Sequence, residues 1–205
     1  DFMKMKDFPT QEYRLKADID LSGTEQTGSV IPEFSGVLDG ENHKITGLKA
    51  PLFGQLSGTV SNVAIDAGAI EIGNSVDTTV GIFANTMTNA TVEKVMIANG
   101  SISSTAGKAA GFAGTVTDST VKNIFIQGRV NAVSTASGFA ETSHHSVMEN
   151  IYANIDVNGA DGAGFLVNST GENSYKNICS IGNVAENMYL SLIHISEPTR
   201  LALIS

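Results

Sequence analysis

Short runs of alternating apolar and polar residues recur at a nearly constant interval along the chain. Five segments start with an apolar residue or glycine followed by phenylalanine, and these phenylalanines are 30, 29, 27 and 26 residues apart: Phe53, Phe83, Phe112, Phe139 and Phe165. A fixed period of roughly 20 to 50 residues is typical of stacked repeat proteins. The alternation within each period is that of β-strands, and no helical stripe intervenes. The pattern therefore predicts an all-β fold, a right-handed parallel β-helix (solenoid) of about 27-residue coils.

Alignment of the five copies predicts two columns of aliphatic residues in the interior of the solenoid. The first column is Val63, Val95, Ile124, Ile151 and Ile178, and the second is Ile70, Ile102, Val130, Val157 and Val184. A single coil buries too little apolar surface to offset the conformational entropy of its residues. We therefore expect the coils to be stable only when they are stacked.

Two polar columns accompany the aliphatic ones. Asparagine recurs at a predicted bend, where it tolerates unusual backbone angles and can hydrogen-bond the next coil: Asn62, Asn123, Asn150 and Asn177, with Lys94 as the exception. One position earlier, charges of alternating sign are predicted to lie side by side: Glu93, Lys122, Glu149 and Lys176. Such pairs stabilise a sheet only slightly, so we expect them mainly to set the register.

The chain divides into three parts. Residues 1–12 are predicted to be a polar lead-in, residues 13–189 the parallel β-helix repeat domain, and residues 190–205 a non-native tail. The tail LSLIHISEPTR (190–200) equals the in-frame translation of a common transposase sequencing adapter, and sequence of that kind is excluded from fold prediction. We accordingly expect the chain to be a fragment of a longer protein.

Composition narrows the classes of partner. The net charge of −9 disfavours nucleic acid, which needs basic side chains to neutralise its phosphates, and it disfavours contact with anionic membranes. One cysteine, Cys179, rules out an internal disulfide framework.

Three strings near the N-terminus carry a family resemblance: YRLKADIDLSG (13–23), FSGVLDGENHKITGL (34–48) and APLFGQLSGTVSNVAID (50–66). Together with the repeats that follow, they resemble the N-terminal region of the IgA1-specific zinc metallopeptidases, large surface proteases of Gram-positive bacteria. The resemblance implies a secreted or cell-wall-attached endopeptidase that cleaves host glycoproteins such as immunoglobulin A. Its zinc and its catalytic domain would lie elsewhere in the parent protein.

The family's zinc motif, His-Glu-x-x-His, does not occur in this chain, because none of its histidines precedes a glutamate. We therefore predict no catalytic, cofactor-binding or metal-binding residue here. The predicted function is that of a non-catalytic scaffold or substrate-docking region, whose partner is the glycoprotein substrate or the parent's catalytic domain. The alternative is a repeat module of a bacterial surface adhesin without enzymatic activity.

Weaker local motifs suggest other chemistry. Residues 18–23 open like a calcium loop, but the twelfth position is Ser29 rather than glutamate. His144 and His145 could bind a metal, yet neighbours on a strand point to opposite faces. Lys108 follows Gly107 but lacks the upstream glycine of a phosphate loop. We expect none of these three motifs to bind a metal ion or a phosphate, and we expect their side chains to be solvated or to hydrogen-bond within the protein.

A polysaccharide-cleaving β-helix is the main enzymatic alternative, and it would need carboxylates converging on one outer face. The acidic column instead alternates with lysines, which favours a structural role. One outward column is unusually apolar: Met96, Phe125, Tyr152 and Cys179, preceded by Ala64. Exposed apolar stripes are typical of interaction surfaces, so we predict that a partner or another segment of the parent covers this one.

Overall fold

The strands follow one another around a tube with short connections. The structure is a computed structural model that describes residues 2–73 and 77–185. Within these residues the chain forms a 3₁₀ helix, Phe2–Lys6, and the strands β1 (Glu12–Arg14), β2 (Ile19–Asp20), β3 (Ile31–Phe34), β4 (Val37–Asp39), β5 (Lys44–Thr46), β6 (Phe53–Leu56), β7 (Thr59–Asp66), β8 (Ala69–Ile72), β9 (Thr79–Gly81), β10 (Ala84–Thr88), β11 (Thr91–Ser104), β12 (Lys108–Ala110), β13 (Ala113–Thr117), β14 (Thr120–Ala132), β15 (Thr135–Ser137), β16 (Ala140–His144), β17 (Val147–Asn158), β18 (Asp161–Ala163), β19 (Leu166–Thr170) and β20 (Ser174–Ile181). The predicted boundary at residue 189 and the predicted tail, 190–205, lie outside the described residues.

Three parallel sheets form the sides of the tube. The first sheet has the order β1-β4-β7-β11-β14-β17-β20, with β2, β5 and β8 alongside; the second is β3-β6-β10-β13-β16-β19; the third is β9-β12-β15-β18. Each coil adds one strand to the second sheet, and successive strands pair with the next coil in parallel. The predicted parallel β-helix is confirmed.

The predicted interior columns are confirmed as well. Val95 lies opposite Val63 and Ile124, and Ile151 lies opposite Ile124 and Ile178. The second column pairs in the same way through Ile102 and Val130 and ends in a bridge to Val184. In both columns the side chains on strands β7 to β17 are almost fully buried. Each coil therefore covers the apolar side chains of the coils on either side of it.

Phenylalanine rings stack along the interior behind the second sheet. The rings of Phe83, Phe112, Phe139 and Phe165 follow one another with centroids 4.7, 4.7 and 5.0 Å apart and nearly parallel planes. Phe53 departs from the predicted alignment: it pairs with Ala84 rather than Phe83, and its ring meets that of Phe83 at 70°. The reason is that Leu56 pairs with Met87 and Thr59 with Thr91, so the first of these coils has one residue fewer between the two paired positions.

The asparagine column marks a bend within the long strands of the first sheet. Asn62, Asn123, Asn150 and Asn177 all have φ between 54° and 56°, and Lys94 adopts 55° at the equivalent place. The Asn150 amide donates to Asn123 Oδ1 at 2.9 Å, and the Asn177 amide donates to Asn150 Oδ1 at 2.8 Å. The predicted bend and inter-coil bonds are confirmed.

The N-terminal segment differs from its prediction. Residues 1–12 were expected to be a polar lead-in, but Phe2 and Met5 of the 3₁₀ helix are buried against the first coil. The segment that follows forms two short strands, β1 and β2, rather than one. Because β1 pairs with β4 and β2 with β5, and a turn separates β4 from β5, the paired segment must bend too.

Candidate functional site

An apolar column runs across the outside of the first sheet. Met96 on β11 lies opposite Phe125 on β14, which lies opposite Tyr152 on β17 and then Cys179 on β20. Met96 and Phe125 are 44% and 37% exposed, Cys179 is exposed and Tyr152 is half-buried. We call these four residues the apolar stripe. Its predicted alignment and outward direction are confirmed, and its role in binding stays a prediction.

Two members of the apolar stripe hold each other in place. The rings of Phe125 and Tyr152 are nearly parallel, with centroids 5.4 Å apart. Offset aromatic stacking of this kind stabilises a pair by about 0.5 to 1.5 kcal/mol beyond area burial. The stripe is therefore a fixed, preorganised surface on rigid strands.

A charged column borders the apolar stripe three residues earlier on each strand. Lys122 Nζ and Lys176 Nζ lie 3.1 and 3.0 Å from the two carboxylate oxygens of Glu149. Hydrogen bonds from Lys176 and then Lys122 hold the pKa of Glu149 below its ordinary value. The predicted alternation of sign is confirmed here, and the role of the column in setting the register stays a prediction.

The two adjacent histidines are closer than the sequence suggested. His145 has φ 46°, so its ring turns back against that of His144, with centroids 3.9 Å apart. The expectation that they point to opposite faces is wrong, because His145 lies in the turn after β16 and not on the strand. His144 Nδ1 lies 3.1 Å from Thr170 Oγ1, and His145 Nδ1 lies 3.7 Å from a carboxylate oxygen of Asp118.

The residues that resemble a calcium loop already have protein partners. Asp18 Oδ1 accepts the backbone N–H of Lys44 at 2.8 Å and lies 3.3 Å from His43 Nδ1, and these contacts lower the pKa of Asp18. Asp20 Oδ1 accepts the backbone N–H of Ser22. Among the residues that the structure describes, no three His, Cys, Asp or Glu side chains gather into a group that could hold a metal ion.

A polar site that the sequence did not reveal lies where the second and third sheets meet. Glu141 on β16 is buried, and its Oε1 accepts a hydrogen bond from Lys108 Nζ on β12 at 2.7 Å. Its Oε2 accepts the hydroxyl of Thr79 on β9. Gly114 of β13 lies beside Glu141 in the register, and a Cβ there would stand only 2.5 Å from the Asn85 carbonyl oxygen and 2.7 Å from that of Thr79. A side chain at this position would therefore crowd the backbone that carries Thr79, the partner of the carboxylate.

A cavity of about 650 Å³ opens above this carboxylate. Its lining includes Thr86, Thr115 and Glu141, together with Ser29 and Asp77. We call it the polar cleft. Asp77 and Thr78, which directly precede β9, are part of its lining.

The sequence carried one weak signal for the polar cleft. The residues that follow the recurring alanine or leucine of the second sheet are Asn85, Gly114, Glu141 and Val167, so a single acid stands in this column. Only the register shows that the glycine precedes the acid on the neighbouring strand. Lys108, noted in the sequence for another motif, is in fact the partner of that acid.

One of three comparisons with known proteins, that with the family models, agrees with the resemblance. Residues 2–100 match the model of the M26 IgA1-specific Metallo-endopeptidase N-terminal region. A crystal structure from Bacteroides ovatus, described as a "putative immunoglobulin A1 protease", is 18% identical and has a TM-score of 0.47 over 88% of this chain and 74% of that one. A search of curated proteins finds no match. No helix within residues 2–73 or 77–185 is long and apolar enough to span a membrane. The family resemblance stated from the sequence is confirmed over residues 2–100.

Proposed function

We propose that this chain is the N-terminal β-helix region of a secreted, cell-surface zinc metalloendopeptidase related to the IgA1 proteases. The observation that carries the proposal is the match of residues 2–100 to the N-terminal region of that family. Its zinc and its catalytic residues would belong to another part of the parent protein. The region itself serves as a rigid scaffold that presents a substrate-docking surface.

The register supports the extension of this role beyond residue 100. Strand β11 crosses that position and pairs with β7 on one side and β14 on the other, over the same columns. The later coils therefore continue the matched region as one structural unit, as proposed for residues 13–189. A rigid solenoid of this kind holds its surface residues at fixed spacings, which favours docking by preorganisation.

The docking surface that we propose is the apolar stripe, and its occupant is immunoglobulin A1, the protein that the matching family's description specifies. Exposed apolar residues beside a polar rim are typical of protein interaction surfaces. Here the rim is the charged column of Lys122, Glu149 and Lys176. Rings that are already stacked lose little entropy on binding.

Biolayer interferometry with the whole 205-residue chain and immobilised immunoglobulin A1 tests this role. We expect saturable binding that Phe125→Ser weakens at least about tenfold, as for a hot-spot aromatic. Phe8→Ser changes an exposed phenylalanine elsewhere and should leave binding unchanged. Absence of binding by the unmodified chain, or equal loss in both variants, would contradict docking at the stripe.

The parent gene tests the family assignment separately. We expect its sequence downstream of residue 189 to encode His-Glu-x-x-His and a more distant glutamate, the ligands of a zinc peptidase. The isolated chain should cleave no immunoglobulin A1, with or without added zinc. Further repeats and a wall anchor in place of the zinc motif would contradict the proposal and favour the adhesin alternative.

A further inference from the structure

The polar cleft combines an ordered acid with hydroxyl groups that are available for a ligand. Both carboxylate oxygens of Glu141 are fixed, one by Lys108 and one by Thr79, and the side chain is only 12% exposed. Buried ionisable groups that line a cavity are over-represented at functional sites. Oxygen atoms with two lone pairs can accept further hydrogen bonds from a molecule in the cavity.

Two hydroxyls lie beside this acid on neighbouring strands. Thr86 and Thr115 are directly opposite each other on β10 and β13, so their side chains stand about 4.8 Å apart along the tube. Both are half-buried, and neither hydroxyl has a hydrogen-bond partner among the residues that the structure describes. A hydroxyl both donates and accepts, so this pair suits a ligand that presents hydroxyl groups itself.

The charges of the cleft disfavour strongly charged ligands. Lys108 neutralises Glu141, and Asp77 adds a negative charge to the lining, which disfavours anions. A bare cation would have to displace the lysine and the threonine from the carboxylate. Ile72 and Val80 contribute apolar surface to the same cavity. Hydroxyls, amides and a small apolar patch together match the polar edges and the C–H face of a sugar ring.

We propose that the polar cleft binds a neutral sugar residue, with Thr86, Thr115 and Glu141 hydrogen-bonding its hydroxyl groups. The volume of about 650 Å³ lies within the range typical of small-molecule sites. The site goes beyond the proposed function, because it shares no residue with the apolar stripe and lies on different sheets. The test of sugar binding can therefore give a negative result while the test of immunoglobulin A1 docking gives a positive one, and the reverse is also possible.

Saturation-transfer difference NMR on the whole chain tests this site. The probes are glucose, galactose, N-acetylglucosamine, N-acetylgalactosamine and lactose, with galacturonate and glucosamine as charged comparisons. We expect at least one neutral sugar to bind saturably and more tightly than every charged probe. Absence of saturable binding by all neutral sugars, or tighter binding of a charged probe, overturns the proposal.

Paired valine variants locate the binding. Thr115→Val removes one hydroxyl while keeping the shape and strand preference of the side chain, and we expect it to weaken sugar binding roughly two- to tenfold. Thr142→Val is the matched control, because Thr142 occupies the next position of the same outward column but does not line the cleft. Equal weakening by both substitutions overturns the assignment. Thr86→Val should weaken sugar binding by a similar factor to Thr115→Val. A urea unfolding curve for each variant tests whether the fold is retained.

Discussion

The outer face of the first sheet and the corner that holds the polar cleft are built by opposite means. On the first sheet, the columns follow a regular pattern from coil to coil, as in the recurring asparagines and in the charges of alternating sign. At the corner, neighbouring strands carry Asn85, Gly114 and Glu141 in one column, and the coil that contains β8 and β9 is longer. Repetition creates a uniform scaffold, whereas departures from the repeat create a cavity with distinct chemistry.

The buried aromatic stack belongs wholly to the repeating region and should dominate stability. Phe112 is fully buried between Phe83 and Phe139, so we expect Phe112→Ala to lower the free energy of unfolding by about 3 to 5 kcal/mol. Urea denaturation followed by circular dichroism measures this. Phe8→Ala, at a phenylalanine that is 57% exposed, should change it by less than about 1 kcal/mol. Similar losses at both positions would contradict a continuous dry interior.

The corner should be sensitive to a single added methyl group. A Cβ at Gly114 would meet backbone carbonyl oxygens at 2.5 and 2.7 Å, and backbone cannot move aside easily. We expect Gly114→Ala to lower the free energy of unfolding by about 1 to 3 kcal/mol and to disturb the contact between Glu141 and Thr79. Differential scanning calorimetry measures the stability. Gly23→Ala, where no atom lies within 4 Å, should be nearly neutral, and an equal effect there would refute the steric explanation.

Lys94 offers a way to improve the repeating region. It occupies the left-handed bend position at which the neighbouring coils have asparagine, with φ 55°. Asparagine tolerates this conformation better and could bond the amide of Asn123, so we expect Lys94→Asn to raise the free energy of unfolding by about 0.5 to 1 kcal/mol. Asn123→Ala, at the next bend, should lower it by a similar or larger amount. A destabilising Lys94→Asn would show that side-chain type at the bend matters little.

The charged column should produce the smallest effect, and one that depends on pH. The folded-state pKa of Glu149 is lowered, so its contribution is present above the ordinary glutamate value of 4.5 and is lost as pH falls through the lower, folded-state pKa. We expect Glu149→Gln to remove that part of the acid sensitivity and to change neutral-pH stability only slightly, because the pair is exposed. Thermal unfolding across this acid range, with and without salt, measures the difference. An unchanged pH profile in the variant would contradict the assignment.

The sequence predicted the repeating region well because its information is local. Val63, Val95 and Ile124 occupy the same place in each period, and alternation alone indicates that they face inward. The same argument predicted the outward direction of Phe125. The alignment was wrong at Phe53, because the chain has one residue fewer between Leu56 and Thr59 than between their partners, and the apolar pattern does not show where such a residue is missing.

The polar cleft could not be predicted because its contacts cross between coils. Glu141 meets Thr79, which lies 62 residues earlier in the chain and on a strand of another sheet. No local motif encodes such a contact, since it depends on the lateral offset of three strands. The contact between His144 and His145 was missed for a related reason, since a positive φ at one residue reverses the direction expected on a strand.

Because the columns of the first sheet continue from β11 to β20 and the charges in one of them alternate, two adjacent coils could be duplicated or deleted together without placing like charges side by side. The tube would then lengthen or shorten in steps of two strand spacings, each about 4.8 Å. A gene that gains or loses such a unit changes the reach of the protein by a fixed increment and leaves its cross-section intact. The length of the tube can therefore evolve only in whole units of this size.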